Sequence, residues 1–331
     1  MNPPAALSRE LLEGARRELG TLVDVIRWGA SRFNGAELCF GHGFDNAVEE
    51  ATALALHALH LEPPLAAELF PARLTEEERG LVLALFARRV NERIPAAYLM
   101  GRAWFAGLAL HVDERVLIPR SPIAEWIERR FAPWIEPEQV ARVLDLGTGS
   151  GAIAIACALA FPAAKVDAVD VSREALEVAS VNIEAFGLEQ RVHGIQSDLF
   201  SSLQGCYDLI VSNPPYVDAA LMAGLPPEYH HEPRRALAAG EDGLACVRRI
   251  LDEAGPYLSS EGVLVVEVGA SRPALERAFP KMPYTWLELS RGGENVFLLT
   301  AEQLPPPGEP LPPPRTGLRQ SPVANIVGRP R

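Results

Sequence analysis

Arg142-Val143-Leu144-Asp145-Leu146 runs straight into Gly147-Thr148-Gly149-Ser150-Gly151, and an apolar stretch from Ala152 to Phe161 follows at once. The first five residues read as a buried strand and the last stretch as a helix. The glycines between them let the backbone turn tightly and approach a ligand closely, next to the unpaired N–H groups of a helix N-terminus. This order of parts makes a nucleotide-type seat in an α/β sheet, with Asp145, Gly147, Thr148, Gly149 and Gly151 as the expected contacts. The loop does not choose its ligand. Gly147, Gly149 and Ala152 also satisfy the looser dinucleotide pattern, so a dehydrogenase stays open at this point.

The next acids narrow the choice. Lys165 to Asp170 reads as a second strand ending in a carboxylate that can accept both hydroxyls of a ribose, with Ser172 capping the following helix. Val192 to Asp198 reads as a third strand. Asp198-Leu199-Phe200 at its end suits an adenine amino group and an apolar clamp for its ring. Tyr207 to Asn213 is a fourth strand, closed by Asn213-Pro214-Pro215-Tyr216 where an α/β sheet puts reacting groups. A planar NH2 group conjugated to a carbonyl or a purine is a poor nucleophile and has to be gripped and aimed. The Asn213 side-chain oxygen and the Pro214 carbonyl can each accept one of its N–H groups, while Tyr216 packs on its face. The expected reacting set is therefore Asn213, Pro214 and Tyr216, with Pro215 beside the acceptor and Asn213 touching both donor and acceptor.

Downstream, Val247 to Leu258 reads as a helix, Gly262 to Gly269 as a very apolar fifth strand and Arg272 to Phe279 as another helix. Thr285 to Leu289 and Asn295 to Thr300 then read as strands joined through Arg291-Gly292-Gly293. The result is a seven-stranded, Rossmann-like sheet with one antiparallel member, a variation that a plain dehydrogenase half lacks. Leu225 to Glu232, with Pro233 and Gly240 to Gly243 after it, is long and polar enough for a substrate-gating loop.

Upstream, residues 1–95 read as a helical domain. Leu11, Leu12, Ala15, Leu19, Leu22 and Ile26 recur at helical spacing, and Asn46 with Glu49 and Thr75 with Glu78 are candidate capping boxes. Phe40-Gly41-His42-Gly43-Phe44-Asp45-Asn46 between them reads on physical grounds as an interhelical turn with a cap. Residues 96–118 read as a β-hairpin linker. Ile118-Pro119-Arg120-Ser121-Pro122 follows, with Ser121 an N-cap and Pro122 the first helical residue; Arg120 and the hairpin residue Phe105 are candidate acceptor contacts above the glycine loop. The sheet domain occupies 119–302, and 303–331, with Pro305-Pro306-Pro307 and Pro312-Pro313-Pro314, reads as a disordered or extended tail.

With 331 residues, 48% of them apolar, the chain can bury a substantial core. The start, Met1-Asn2-Pro3-Pro4, shows no basic segment followed by an apolar core, and no apolar run is long enough to cross a bilayer, so a cytoplasmic protein without membrane association is expected. A net charge of −12 argues against strong direct nucleic-acid binding and favours a basic partner, although Arg88, Arg89 and Arg93 can form a local basic face. Cys39, Cys157, Cys206 and Cys246 form no CxxC pair and read as inert packing residues. The histidines, among them His57, His60, His230 and His231, make no metal-ligand spacing, so no metal is expected.

Asp145 to Gly151, Asp170 and Asn213 to Tyr216 together resemble the glutamine N5-methyltransferases. The resemblance covers roughly residues 20–302. Phe40-Gly41-His42-Gly43 with Asp45-Asn46, and Ile118 to Glu125, resemble the branch that modifies the third protein of the large ribosomal subunit; two departures are Phe44 in place of a small hydroxyl residue and His230 in place of Arg. The resemblance implies a class I S-adenosylmethionine-dependent methyltransferase fold, S-adenosyl-L-methionine as donor, and a glutamine side-chain amide as acceptor. The acceptor protein is expected free or in a ribosome-assembly intermediate. The alternatives are the sibling activity on peptide-chain release factors, a nucleobase amino-group methyltransferase, and a non-enzymatic ribosome-assembly factor that keeps a bound cofactor.

Overall fold

The computed structural model describes residues 6–290 and 295–305. The Arg291-Gly292-Gly293 connection and the proline-rich tail from 306 onward lie outside the described residues. Helices α1 (Arg9–Glu18), α2 (Leu22–Gly35), α3 (Ala47–Ala58), α4 (Glu76–Asn91) and the short α5 (Ala96–Met100) come first. The periodicity from Leu11 to Ile26, which looks continuous in sequence, is cut in two by Thr21. Its hydroxyl accepts the Asp24 N–H while the Asp24 carboxylate accepts the Thr21 N–H, and this reciprocal box starts a new helix. Thr75 and Glu78 form the same box. Asn46 caps α3 through Val48 and Glu49, but the Glu49 carboxylate takes the N–H of Asp45, so no box closes on Asn46. The inward residues Val25, Phe33, Leu54, Val82 and Phe86 make a core of their own.

A hairpin of β1 (Arg102–Phe105) and β2 (Leu108–His111) follows and turns at Ala106-Gly107. Helix α6 (Ile123–Glu128) begins one residue later than its sequence suggests. The Ser121 hydroxyl is also engaged elsewhere: it accepts the Ile123 N–H and donates to the Glu267 carboxylate.

The alternating region gives β3 (Arg142–Leu146), α7 (Ala152–Ala160), β4 (Lys165–Asp170), α8 (Arg173–Ala185), β5 (Val192–Gln196), β6 (Tyr207–Ser212), α9 (Ala219–Gly224), α10 (Ala245–Glu253), β7 (Leu258–Glu267), α11 (Arg272–Ala278), β8 (Thr285–Trp286) and β9 (Val296–Thr300). The seven-stranded sheet has the order β5-β4-β3-β6-β7-β9-β8, and β9 runs antiparallel to both its neighbours. Successive residues of a strand face opposite sides. Val143, Val166, Leu209, Val211 and Val263 therefore enter one core layer, and Leu144, Val169, Ile210, Leu264 and Val266 the other. Burial on both faces explains the nearly unbroken apolar runs of these strands.

The chain winds outward through β3, β4 and β5, then crosses back to place β6 on the other side of β3. Ligands bind at such a reversal, beyond the carboxyl ends of the strands. Leu146 pairs with Ser212, so the glycine loop after β3 and the segment after β6 leave the sheet side by side. Among the described residues no helix is long and apolar enough to cross a membrane.

Candidate active site

A cavity of about 170 Å³ opens at this switch point. Gly147, Gly149, Asp170, Asp198, Leu199, Asn213, Pro214 and Pro215, all expected from sequence, line it together. Asp170 is tied on both oxygens: Oδ2 accepts the Gly149 N–H at 3.0 Å and Oδ1 the Ser172 N–H at 2.8 Å. Burial raises its pKa, against those N–H groups and Arg235, which lines the same cavity. A carboxylate has lone-pair sites beyond these two for ribose hydroxyls. Asp198 pairs with Arg249 at 2.7 Å and stays largely open to solvent.

Three expected contacts stand behind this lining. Asp145 is fully buried, its Oδ2 accepting the Thr148 hydroxyl at 2.6 Å and the Ala154 N–H at 3.0 Å, and burial pushes its pKa up to about 7. Asp145 and Thr148 thus brace the loop from below. Gly151 turns the chain into α7, where an added Cβ would lie 3.3 Å from that of Ala179 on α8. Phe200 is buried and stacked on Tyr257, so the apolar clamp at this edge is Leu199 and not the aromatic ring.

Asn213 carries the decisive feature. Its Oδ1 is buried and has no hydrogen-bond partner among the described residues. A buried carbonyl oxygen without a donor is costly unless a ligand supplies one. Of the buried side-chain oxygens left in that state, it is the one that lines the cavity.

Tyr216 follows the lining residue Pro215 but does not itself line the cavity; it is fixed by its hydroxyl, which donates to Glu267 Oε1 at 3.0 Å, and by its backbone carbonyl, which accepts the Ser271 hydroxyl at 2.6 Å. Burial, then the Glu267 carboxylate, push its pKa up. Arg120 gives Glu232 a bidentate pair at 2.6 and 2.7 Å, and its guanidinium lies over the Tyr229 ring. Phe105 is packed into the core with Ile123 and Trp126, and Trp104 lines a separate groove next to Phe44. The hairpin aromatics therefore do not cover the glycine loop: Phe105 is in the core, Trp104 lines the separate groove, and β2 is tied to α8, where the Asn182 side chain accepts the His111 N–H and donates to the His111 carbonyl.

The segment after Leu225 is no free gate. Glu228 and Glu232 are buried, and both reach the helical domain. Glu228 Oε1 accepts the Cys39 N–H and an Arg89 N–H, and Arg89 also donates to Glu50. Glu232 meets His42 Nε2 at 3.5 Å, and the His42 ring lies 4.4 Å from that of Tyr229. The Gly-His-Gly turn thus sets His42 against Tyr229 and Glu232 of the segment after β6 and is not a plain turn. Arg89 is wholly buried in ion pairs, so it supplies no basic face. Cys206 is exposed and Cys246 lines the cavity, so packing accounts for neither. Glu228, Glu232 and Glu267 escape sequence reading. The first two sit in a polar stretch that looks solvated, and only Glu267, a lone acid ending a run of valines, carried a visible signal.

A seven-stranded sheet with one antiparallel strand, a glycine loop and an Asn-Pro-Pro-Tyr end on the neighbouring strand define a class I methyltransferase. The Methyltransferase small domain family matches residues 130–224. Over 291 residues the chain is 53% identical to the ribosomal protein uL3 glutamine methyltransferase of Bordetella pertussis (strain Tohama I), covering 87% of this chain and 98% of that one. The protein of the same name from Neisseria gonorrhoeae is 53% identical over 291 residues, 88% of this chain and 97% of its own. The chain belongs to the ribosomal protein uL3 glutamine methyltransferase family. Among solved structures, the hMettl16 catalytic domain in complex with MAT2A 3'UTR hairpin 6 aligns with 18% identity and a TM-score of 0.46, over 66% of this chain and 78% of that one.

Proposed function

We propose that this chain transfers a methyl group from S-adenosylmethionine to the side-chain amide nitrogen of a glutamine in ribosomal protein uL3. The observation that carries the reading is the unpartnered Asn213 Oδ1, buried in the cavity wall beside the glycine loop. Bound there, S-adenosylmethionine supplies an electrophilic methyl group. The residues fit it: Asp170 would accept ribose hydroxyls, Leu199 would flank the base, and Gly147 and Gly149 would let the backbone come close. Asn213 Oδ1 and the Pro214 carbonyl accept the two N–H groups of the glutamine amide, which points the nitrogen lone pair at the methyl carbon. Orientation of this kind contributes on the order of several kcal/mol. Asn213 is neutral and would act as an orienter; as the N–C bond forms the sulfonium S–C bond would break, and the proton would pass to water late, once methylation has made the nitrogen acidic.

The helical domain, residues 1–95, and the hairpin linker, 96–118, form the proposed meeting surface for the acceptor protein, with 119–302 carrying the chemistry. The test is mass spectrometry of free uL3 and of a class-1 release factor, each incubated with the protein and S-adenosylmethionine. One added methyl on a glutamine of uL3 alone is expected, and Asn213→Ala should abolish it while cofactor binding is largely kept. Methyl on the release factor alone would transfer the assignment to the sibling activity. Strong residual turnover by Asn213→Ala would overturn the role given to that side chain.

A further inference from the structure

Glu267 ends β7, the strand beside β6, and is almost wholly buried. A lone carboxylate at such a place has to be compensated by donors. Oε1 accepts the Tyr216 hydroxyl at 3.0 Å and Oε2 accepts the Ser121 hydroxyl. Tyr216 is held at two further points. Its ring lies so close to Gly269 that an added Cβ there would come within 2.4 Å of it, and its carbonyl is bound by Ser271. A Cβ on Gly243 would come within 2.5 Å of that same carbonyl. Hydroxyl, ring face and backbone of Tyr216 are thus set by the end of β7 and the residues just after it.

We propose that Glu267 is a positioning residue for methyl transfer, acting through the Tyr216 hydroxyl to fix the ring against which the acceptor amide lies. The inference rests on the glutamine-methyltransferase reading and adds to it the residue that fixes the acceptor's platform. Asn213 and Pro214 grip the edge of the amide, which leaves it one rotation, about the axis through those contacts. A ring face held in place removes that rotation. Glu267 touches no reacting atom, so its loss changes the fraction of bound acceptor in a reactive pose and not the binding of the cofactor.

The test is a double-mutant cycle of Glu267→Met, which keeps the volume and removes both acceptors, with Tyr216→Phe, which removes the donor. It is read as kcat on recombinant uL3 and as Kd for S-adenosylmethionine. Each single variant is expected to lower kcat about 30-fold, within the range that small misplacements of reacting groups cost. Cofactor Kd should stay within about twofold. The double variant should be no worse than about threefold below either single, because both remove one interaction. Glu267→Gln, whose amide oxygen still accepts the Tyr216 hydroxyl, should recover most of the rate. Equal factors for Glu267→Met in the wild-type and Tyr216→Phe backgrounds would overturn the proposal, as would a rise in cofactor Kd matching the loss in kcat. If Glu267→Met does not fold, Tyr216→Phe alone decides, and a wild-type kcat from it overturns the proposal. A wild-type protein that leaves uL3 unmodified would bring down the underlying reading as well, whereas an active wild type with additive variants brings down the positioning role alone.

Discussion

Replacing Glu232 by Gln tests a buried ion pair at the edge of the sheet region that also faces His42 of the N-terminal helical part. The Glu232 side chain has no exposure, accepts two N–H groups of Arg120 and the Ile118 N–H, and lies 3.5 Å from His42 Nε2. Burial pushes its pKa up, but His42 and the Arg120 guanidinium more than offset this and hold it at about 2 against the ordinary 4.5. That difference corresponds to about 3 kcal/mol of stability at neutral pH. Arg120 keeps about a fifth of its side chain open to solvent, so the loss falls at the lower end of the 3–5 kcal/mol typical of an orphaned buried charge. In a chain of this size it should appear as a fall in Tm of about 4 °C at pH 7, measured by scanning calorimetry.

The pH dependence has a definite sign. A carboxyl whose folded pKa is depressed contributes stability above its unfolded pKa, near 4.5, and loses it as pH falls through about 2. The gap between wild type and Glu232→Gln should shrink from its value at pH 7 to less than roughly half near pH 3. Arg120→Met with Glu232→Leu, which removes both charges, should be more stable than Glu232→Gln. A Glu232→Gln Tm within about 1 °C of wild type at pH 7, or a gap that does not shrink in acid, would refute the reasoning.

Two glycines give sharper steric tests. An added Cβ at Gly29 would lie 2.3 Å from the Phe86 ring in the helical core, so Gly29→Ala should cost about 1–3 kcal/mol by denaturant unfolding; an unchanged midpoint would show that the core repacks freely. Gly269→Ala drives a methyl group into the Tyr216 ring from a residue with φ +42°, and should lower kcat on uL3 by about 100-fold while leaving S-adenosylmethionine Kd nearly unchanged; a normal kcat would disconnect the ring position from the chemistry.

The sheet and much of its cavity were legible because their signals are local. Residues 142–160 form one uninterrupted strand–loop–helix sentence, and every strand end that carries a functional group falls within about two residues of its sequence reading. The helix break at Thr21 is not visible in the apolar periodicity, which runs straight through its capping box, and the box decides. Phe105 was misassigned for another reason: alternation along β1 shows that one face of the hairpin is apolar but not which layer receives it. The ion pairs were beyond reach. Arg120 and Glu232 are 112 residues apart and Arg89 and Glu228 are 139 apart, and partners at such separations leave no mark on their sequence neighbours.

The Arg89–Glu228 pair links the N-terminal helices to the loop after β6. The chain leaves the site at Val217 and returns beside it, the Val217 N–H bonding the Leu237 carbonyl and the Ala239 N–H the Val217 carbonyl. Between these points Glu228 is anchored to Arg89, while Pro233, Arg235 and Ala236 line the cavity. Arg89 does not line the cavity, yet removing it takes from Glu50 its ion-pair partner and leaves Glu228 the Cys39 N–H and a 3.5 Å contact with Arg93, which loosens the middle of a loop whose far limb is cavity wall. Arg89→Met should therefore weaken S-adenosylmethionine binding, measured by calorimetric titration at a temperature where the variant remains folded. Arg88→Ala, one residue away on an exposed side chain paired only with Glu92 among the described residues, should change neither binding nor stability. A folded Arg89→Met protein with wild-type cofactor Kd would mean that Pro233 to Ala236 hold their place through the sheet domain alone, and that the helical domain meets its partner without touching the cavity.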